Sequence, residues 1–247
     1  AVTVAARNNL RLGASQIKLM TGGGVASLYD RLEDIQYFEE EINAAVKAAE
    51  DVGTYVMVHV YVPRAISRAI HAGVKSIEHG HLIDEPTMAL IAEKDVWLSM
   101  QPFTLEDNQY PTKEQQAKHE MVVHGTDSTY QLAKKYKVNL AWGTDLLFNP
   151  ANTVNENKGI GKLQKWFSNF EILKMVTHDN AELLALSGSR NPYPGKLGVI
   201  EEGALADLIL VEGNALEDVT LLEHPERNML LIMKDGQIYK NTLSSSE

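Results

Sequence analysis

At 247 residues, 44% of them hydrophobic, the chain is long enough to bury a sizeable core as one large domain or as a domain with a satellite. A formal charge of -10 with no cluster of Lys or Arg argues against a nucleic-acid or anionic-membrane surface, which needs a concentrated basic patch. Zero cysteines exclude disulfides, thiolate metal sites and cysteine nucleophiles, so a transition metal would have to be held by His and carboxylates. No apolar run reaches the roughly 18 residues of a membrane-crossing helix, and no signal-peptide pattern opens the chain.

The first residues, AVTVAARNNLRLG, read as the middle of an amphipathic helix, so an upstream part is expected to be missing. Short apolar runs then alternate with helical patterns. Strands are expected at 16–20, 54–60, 75–79, 96–101 and 139–144, mostly without strict polar alternation, as buried parallel strands are. Helices are expected at 38–52, 63–72, 85–93, 119–136 and 168–186, with Pro63 and Pro86 near first turns. This alternation implies a parallel α/β architecture over residues 1–187. After Leu186 the chain passes through SGSRNPYPGKLG into a β-rich segment, 188–247, with strands at 208–211 and 229–233 and an Asp235-Gly236 hairpin turn leading to Ile238-Tyr239.

Position singles out four ionisable residues. Lys18, His59, His79 and Asp145 fall near the C-terminal ends of the first, second, third and fifth strands, and in a (β/α) barrel those ends share one face where sites are built. The fourth strand offers no comparable ligand. Each residue also has a plainer reading. Lys18, in an otherwise apolar strand, would need an ion-pair partner or the loss of its charge, for example by capture of carbon dioxide as a carbamate. His59 and His79 could separately be satisfied core histidines, although together they suit Zn, Fe or Mn. Asp145 could cap a following helix, or it could touch a metal and transfer a proton.

The remaining histidines carry less. His71, His119, His124 and His178 lie in helical patterns and His224 in the tail, where surface or packing roles are favoured. His81 completes a His79-Gly80-His81 triplet, but only His79 is expected to project into the site. Thr21-Gly22-Gly23-Gly24-Val25 lacks the endings of a phosphate loop and reads as a tight loop that lets backbone approach a substrate.

The segments QIKLMTGGGVAS, VHVYVPRAISRAIHAGVKSIEHGHLID, WGTDLL, PGKLGVIEEGALADLILVEGN and IMKDGQIYKN resemble, in order, landmarks of the amidohydrolase superfamily in its prolidase-like and imidazolonepropionase-like branch. The resemblance implies a (β/α)8 TIM-type barrel, with about five of its strands present here, plus the C-terminal strands of a composite β-sandwich domain. It implies a carbamylated Lys18 bridging two metals, usually zinc. It makes His59 and His79 ligands of one metal, Asp145 an acid/base that also touches the other, and Tyr61 a substrate contact. The family's His-x-His pair on its first strand has no counterpart here, and His79-Gly80-His81 falls too late in the chain to replace it.

The implied activity is hydrolysis of an amide or peptide-like C-N bond in a small molecule, a dipeptide of the Xaa-Pro kind or an N-acyl amino acid, by a metal-bound hydroxide. The alternatives are a mononuclear deaminase or cyclic-amide hydrolase, and a catalytically inactive fragment lacking the His-x-His strand. Substrate choice is expected to lie in loops 103–111 and 148–161. The expected partner is a small-molecule substrate, with no nucleic acid and no membrane, in a homo-oligomer.

Overall fold

The computed structural model describes residues 1–146 and 150–243. The chain forms two compact units, one made of residues 1–143 and 183–192, the other of residues 144–182 and Tyr193 onward.

The first unit is built on five parallel strands in the order of the sequence: β1 (Ile17–Met20), β2 (Val56–Val60), β3 (Ser76–His79), β4 (Trp97–Met100) and β5 (Leu140–Trp142). Five helices accompany them: α1 (Val2–Arg11), α2 (Glu39–Glu50), α3 (Pro63–His71), α4 (Glu85–Glu93) and α5 (Lys113–Tyr136). Successive helices pack on one another, with α2 against β1 and β2 and α3 against β2. This repeated strand-helix unit is the expected α/β barrel architecture, present as five strands.

The two faces of the sheet differ. Ile17, Val56, Val58, Val60, Ile77, Leu98 and Met100 share one face and are buried, each removing enough apolar surface to contribute about 1.5–3 kcal/mol. On the other face Ser76, Ser99 and His59 are buried, Met57, Glu78 and Trp97 are half-buried, and Lys18 and Met20 are exposed. Lys18 is thus exposed on the edge strand of this chain, not enclosed as its apolar neighbours in sequence suggest.

Local chemistry explains the helix limits. Asp84 caps α4 by accepting from the Thr87 N–H at 3.0 Å, and Pro63 opens α3, where its missing N–H is not needed. Helix α5 begins at Lys113 rather than 119, because Thr112 Oγ1 accepts from the Gln115 N–H at 3.2 Å. Segment 183–192 returns to this unit, where the Arg190 side chain donates to the carbonyls of Ala14 and Leu10.

The expected single helix over 168–186 is interrupted. An α-helical turn at Asn169–Lys174 leads into a π-helical turn at Met175–Asp179 before Asn180–Ala185 resumes the α form. A three-stranded antiparallel sheet follows: β6 (Leu208–Val211), β7 (Met229–Lys234) and β8 (Gln237–Asn241). Asp235 and Gly236 take φ of 49° and 75°, the left-handed pair that a two-residue hairpin turn requires. Among the described residues no helix is long and apolar enough to cross a membrane.

Candidate active site

His59 stands one residue before the end of β2 and His79 ends β3. Register alone would separate them, because His59 is the cross-strand partner of Glu78 and His79 that of Val60, so regular alternation sends the two rings to opposite faces. The backbone overrides this. His79 takes φ 78°, a left-handed conformation that non-glycine residues seldom adopt, and its ring meets that of His59 edge to face at 4.6 Å between centroids. Tyr61 joins them, stacked on His79 at 5.0 Å and edge-on to His59 at 5.2 Å.

Hydrogen bonds assign the ring protons. His59 Nε2 lies 3.1 Å from the Gly23 carbonyl, which can only accept, so Nε2 carries the hydrogen and Nδ1 keeps its lone pair. His79 Nδ1 lies 2.8 Å from Gln101 Oε1 and donates to it, which leaves the lone pair on Nε2. Burial lowers the pKa of both rings: His59 is 7% exposed and His79 2%. Desolvation is the main cause for each; the Lys18 ammonium lowers both further, and the neighbouring His59 and His81 add to the effect on His79.

The glycine loop is brought to this place from two directions. Its Thr21 and Gly22 N–H groups donate to the His59 carbonyl at 3.1 and 3.3 Å, continuing the strand pairing. From α5, Lys118 Nζ donates to the carbonyls of Gly24, Ser27 and Asp30 at 2.7, 2.6 and 3.0 Å, and Gln115 Nε2 donates to that of Ala26 at 2.6 Å. Gly23 has to be glycine, since a Cβ there would sit 1.9 Å from the Arg31 carbonyl oxygen. The loop thus brings its backbone against the imidazole of His59.

His81 is fully buried, stacks on Phe103 at 5.3 Å, and donates from Nε2 to the Gln101 carbonyl at 2.9 Å. Its Nδ1 has no hydrogen-bond partner among the described residues, and burial pushes its pKa down to about 4. His119 has a packing role, with Nε2 donating to the Thr104 carbonyl at 3.1 Å and its ring against Tyr110.

Asp145, three residues past the end of β5, belongs to the second unit, is exposed, and has φ 52°. Of loop 148–161, residues 148 and 149 lie outside the described residues; Pro150–Asn155 forms a 3-10 helix and Lys158–Lys162 a short α-helix. Among the described residues no group of three or more His and carboxylate side chains stands close enough to hold a metal. Each imidazole keeps one nitrogen clear of these hydrogen bonds, Nδ1 of His59 and Nε2 of His79, and so each can serve as a metal ligand.

Three contributors were not singled out from the sequence: Gln101, Lys118 and the Gly23 carbonyl. Gln101 sits at the C-terminal end of a strand, like the histidines, and the same positional argument reaches it once supporting groups are counted with ligands. Nothing local marks Lys118, whose targets lie 88 to 94 residues away.

The amidohydrolase family profile matches residues 2–239. The chain belongs to the amidohydrolase family. It is 31% identical over 241 residues to an ochratoxinase of Aspergillus niger, covering 96% of this chain and 48% of that protein. It is similar to the crystal structure of a prolidase complexed with N-methylphosphonate-L-proline, at TM-score 0.88 and 32% identity, over 98% of this chain and 58% of that one. A Xaa-Pro dipeptidase with methionine bound in its active site matches at TM-score 0.83 and 31% identity, over 97% of this chain and 58% of that one. The chain thus spans about half the length of the curated relatives it matches. Metal dependence is general in this family.

Proposed function

We propose that the protein carrying this chain hydrolyses an amide or peptide-like C-N bond in a small substrate, a Xaa-Pro dipeptide or an N-acyl amino acid. The observation that carries this reading is the His59–His79 ring contact, with hydrogen bonds that occupy His59 Nε2 and His79 Nδ1 and leave His59 Nδ1 and His79 Nε2 as the nitrogens able to bind a metal. The family membership and the prolidase and dipeptidase likenesses support the same class.

In this reading His59 and His79 would hold a divalent cation and Lys18, as its carbamate, would be a further ligand, with two zinc ions expected for the complete protein. Bound metal supplies two things here: a lower pKa for water, towards ~7, and polarisation of the scissile carbonyl. The chain's own residues do the rest. Burial keeps both imidazoles neutral and available as ligands. The Asp145 carboxylate accepts a proton from the attacking water and returns it to the departing nitrogen. Tyr61, held against both rings, contacts the substrate carbonyl or carboxylate, and loop 103–111 shapes the choice of side chain.

The test is release of the amine from Xaa-Pro dipeptides and N-acyl amino acids, measured with zinc present for the protein carrying this chain and for its Asp145→Asn variant. Turnover in the wild type, lost in Asp145→Asn while zinc is retained, is the expected result. Undiminished turnover in Asp145→Asn contradicts the proton-transfer role.

A further inference from the structure

We propose that Gln101 is the positioning residue of this site: its side-chain oxygen dictates which ring nitrogen of His79 carries the proton, and hence which one can face a cation. This rests on the reading of His59 and His79 as metal ligands.

Gln101 follows directly on β4 and is 4% exposed, so its amide is enclosed. It is tied to both imidazoles of the His79-Gly80-His81 triplet in different ways. Its Oε1 accepts from His79 Nδ1 at 2.8 Å, and its main-chain carbonyl accepts from His81 Nε2 at 2.9 Å and from the Phe103 N–H at 2.9 Å. The second and third bonds fix the backbone from which the side chain starts. The strand that supplies no ligand thus supplies the group behind one.

The need for such a group follows from the backbone of His79. Its φ of 78° costs free energy for a residue with a Cβ, and it is this turn that carries the ring off the face assigned by strand alternation. A ring displaced in this way has to be held, and Gln101 holds one edge while Tyr61 stacks on its face. An amide has two faces to offer. With Oε1 forward it demands Nδ1–H and leaves the lone pair on Nε2; turned over, its NH2 would demand the opposite tautomer and put a hydrogen where the cation is to bind. A glutamate would also accept the Nδ1 hydrogen, so the acceptor rather than the amide is the essential feature.

The experiment compares the protein carrying this chain with its Gln101→Met and Gln101→Glu variants, using long-range 1H–15N correlations of the histidine rings without metal and then zinc titration. Circular dichroism and thermal unfolding monitor the fold. The wild type and Gln101→Glu are expected to show His79 protonated on Nδ1. Gln101→Met is expected to shift that hydrogen towards Nε2 and to weaken zinc binding by about 10- to 100-fold, with Gln101→Glu restoring it.

A wild-type His79 protonated on Nε2 overturns the proposal, as does a Gln101→Met variant with unaltered tautomer and zinc affinity. Should Gln101→Met fail to fold, the wild-type and Gln101→Glu spectra still decide. Zinc binding that survives His79→Ala would instead sink the metal-ligand reading and leave the tautomer result standing on its own.

Discussion

The ammonium of Lys118 and the carbonyl of Gly24 meet at 2.7 Å across 94 residues of sequence, joining α5 to the loop that presents Gly23 to His59. The same ammonium holds the Ser27 and Asp30 carbonyls, and its side chain is only 12% exposed. Lys118→Met keeps the aliphatic stem and removes every one of these bonds. Each acceptor left without a donor costs about 1–3 kcal/mol where it stays buried, less where water reaches it. The expected outcome is a lowered urea midpoint together with faster amide exchange confined to residues 22–36. Unchanged exchange in that loop would show that Lys118 does not secure it.

Gly125 permits a contact that no other residue would. A Cβ there would lie 2.0 Å from the His81 carbonyl oxygen, which already accepts from Thr129 Oγ1 at 3.0 Å. Both sides of the clash are backbone, so neither can swing away. Gly125→Ala is expected to destabilise the chain by about 3 kcal/mol or more in chemical denaturation, beyond the usual cost of one added methyl group in a packed region. A loss within about 0.5 kcal/mol would mean that α5 and the β3–α4 connection separate easily.

Stability is expected to fall in mild acid. Burial holds His81 at about 4 against 6.5 for a free imidazole. As pH falls below 6.5 the unfolded chain takes up a proton that the folded chain refuses until about 4. The contribution of His81 is therefore complete above pH 6.5 and is lost progressively down to about 4, some ~3 kcal/mol in all. His59 and His79, also lowered by desolvation, act in the same direction. Urea midpoints at about pH 7 and about pH 5 check this. A lower midpoint at the acid value, with part of the difference removed in His81→Asn, is expected; identical midpoints would contradict it.

Much of this fold is legible because its signals are local. Helix α4 occupies 85–93 as read, and the Asp235-Gly236 turn is where a left-handed pair must be. The start of α5 is marked in the sequence by Thr112 and Gln115, a cap and its partner three residues on, ahead of the expected 119–136. The π-helical turn at Met175–Asp179 left no trace, since one extra residue in a turn barely alters hydrophobic spacing.

For the site, the sequence places His59 and His79 near strand ends, and there they stand, one residue before the end of β2 and at the end of β3. Their contact was not legible, because it depends on the left-handed backbone of His79, which breaks the very alternation used to place side chains. The exposure of Lys18 was equally hidden, since apolar neighbours in sequence point to the opposite face of its strand.

Titration of the chain with zinc, measured by calorimetry and elemental analysis for the wild type, His59→Ala, His79→Ala and the double variant, addresses the two imidazoles directly. If they hold one cation together, either single substitution removes most of the affinity and the double variant is little worse than either one. Zinc affinity that is unaffected by both single substitutions would contradict the assignment of His59 and His79 as ligands.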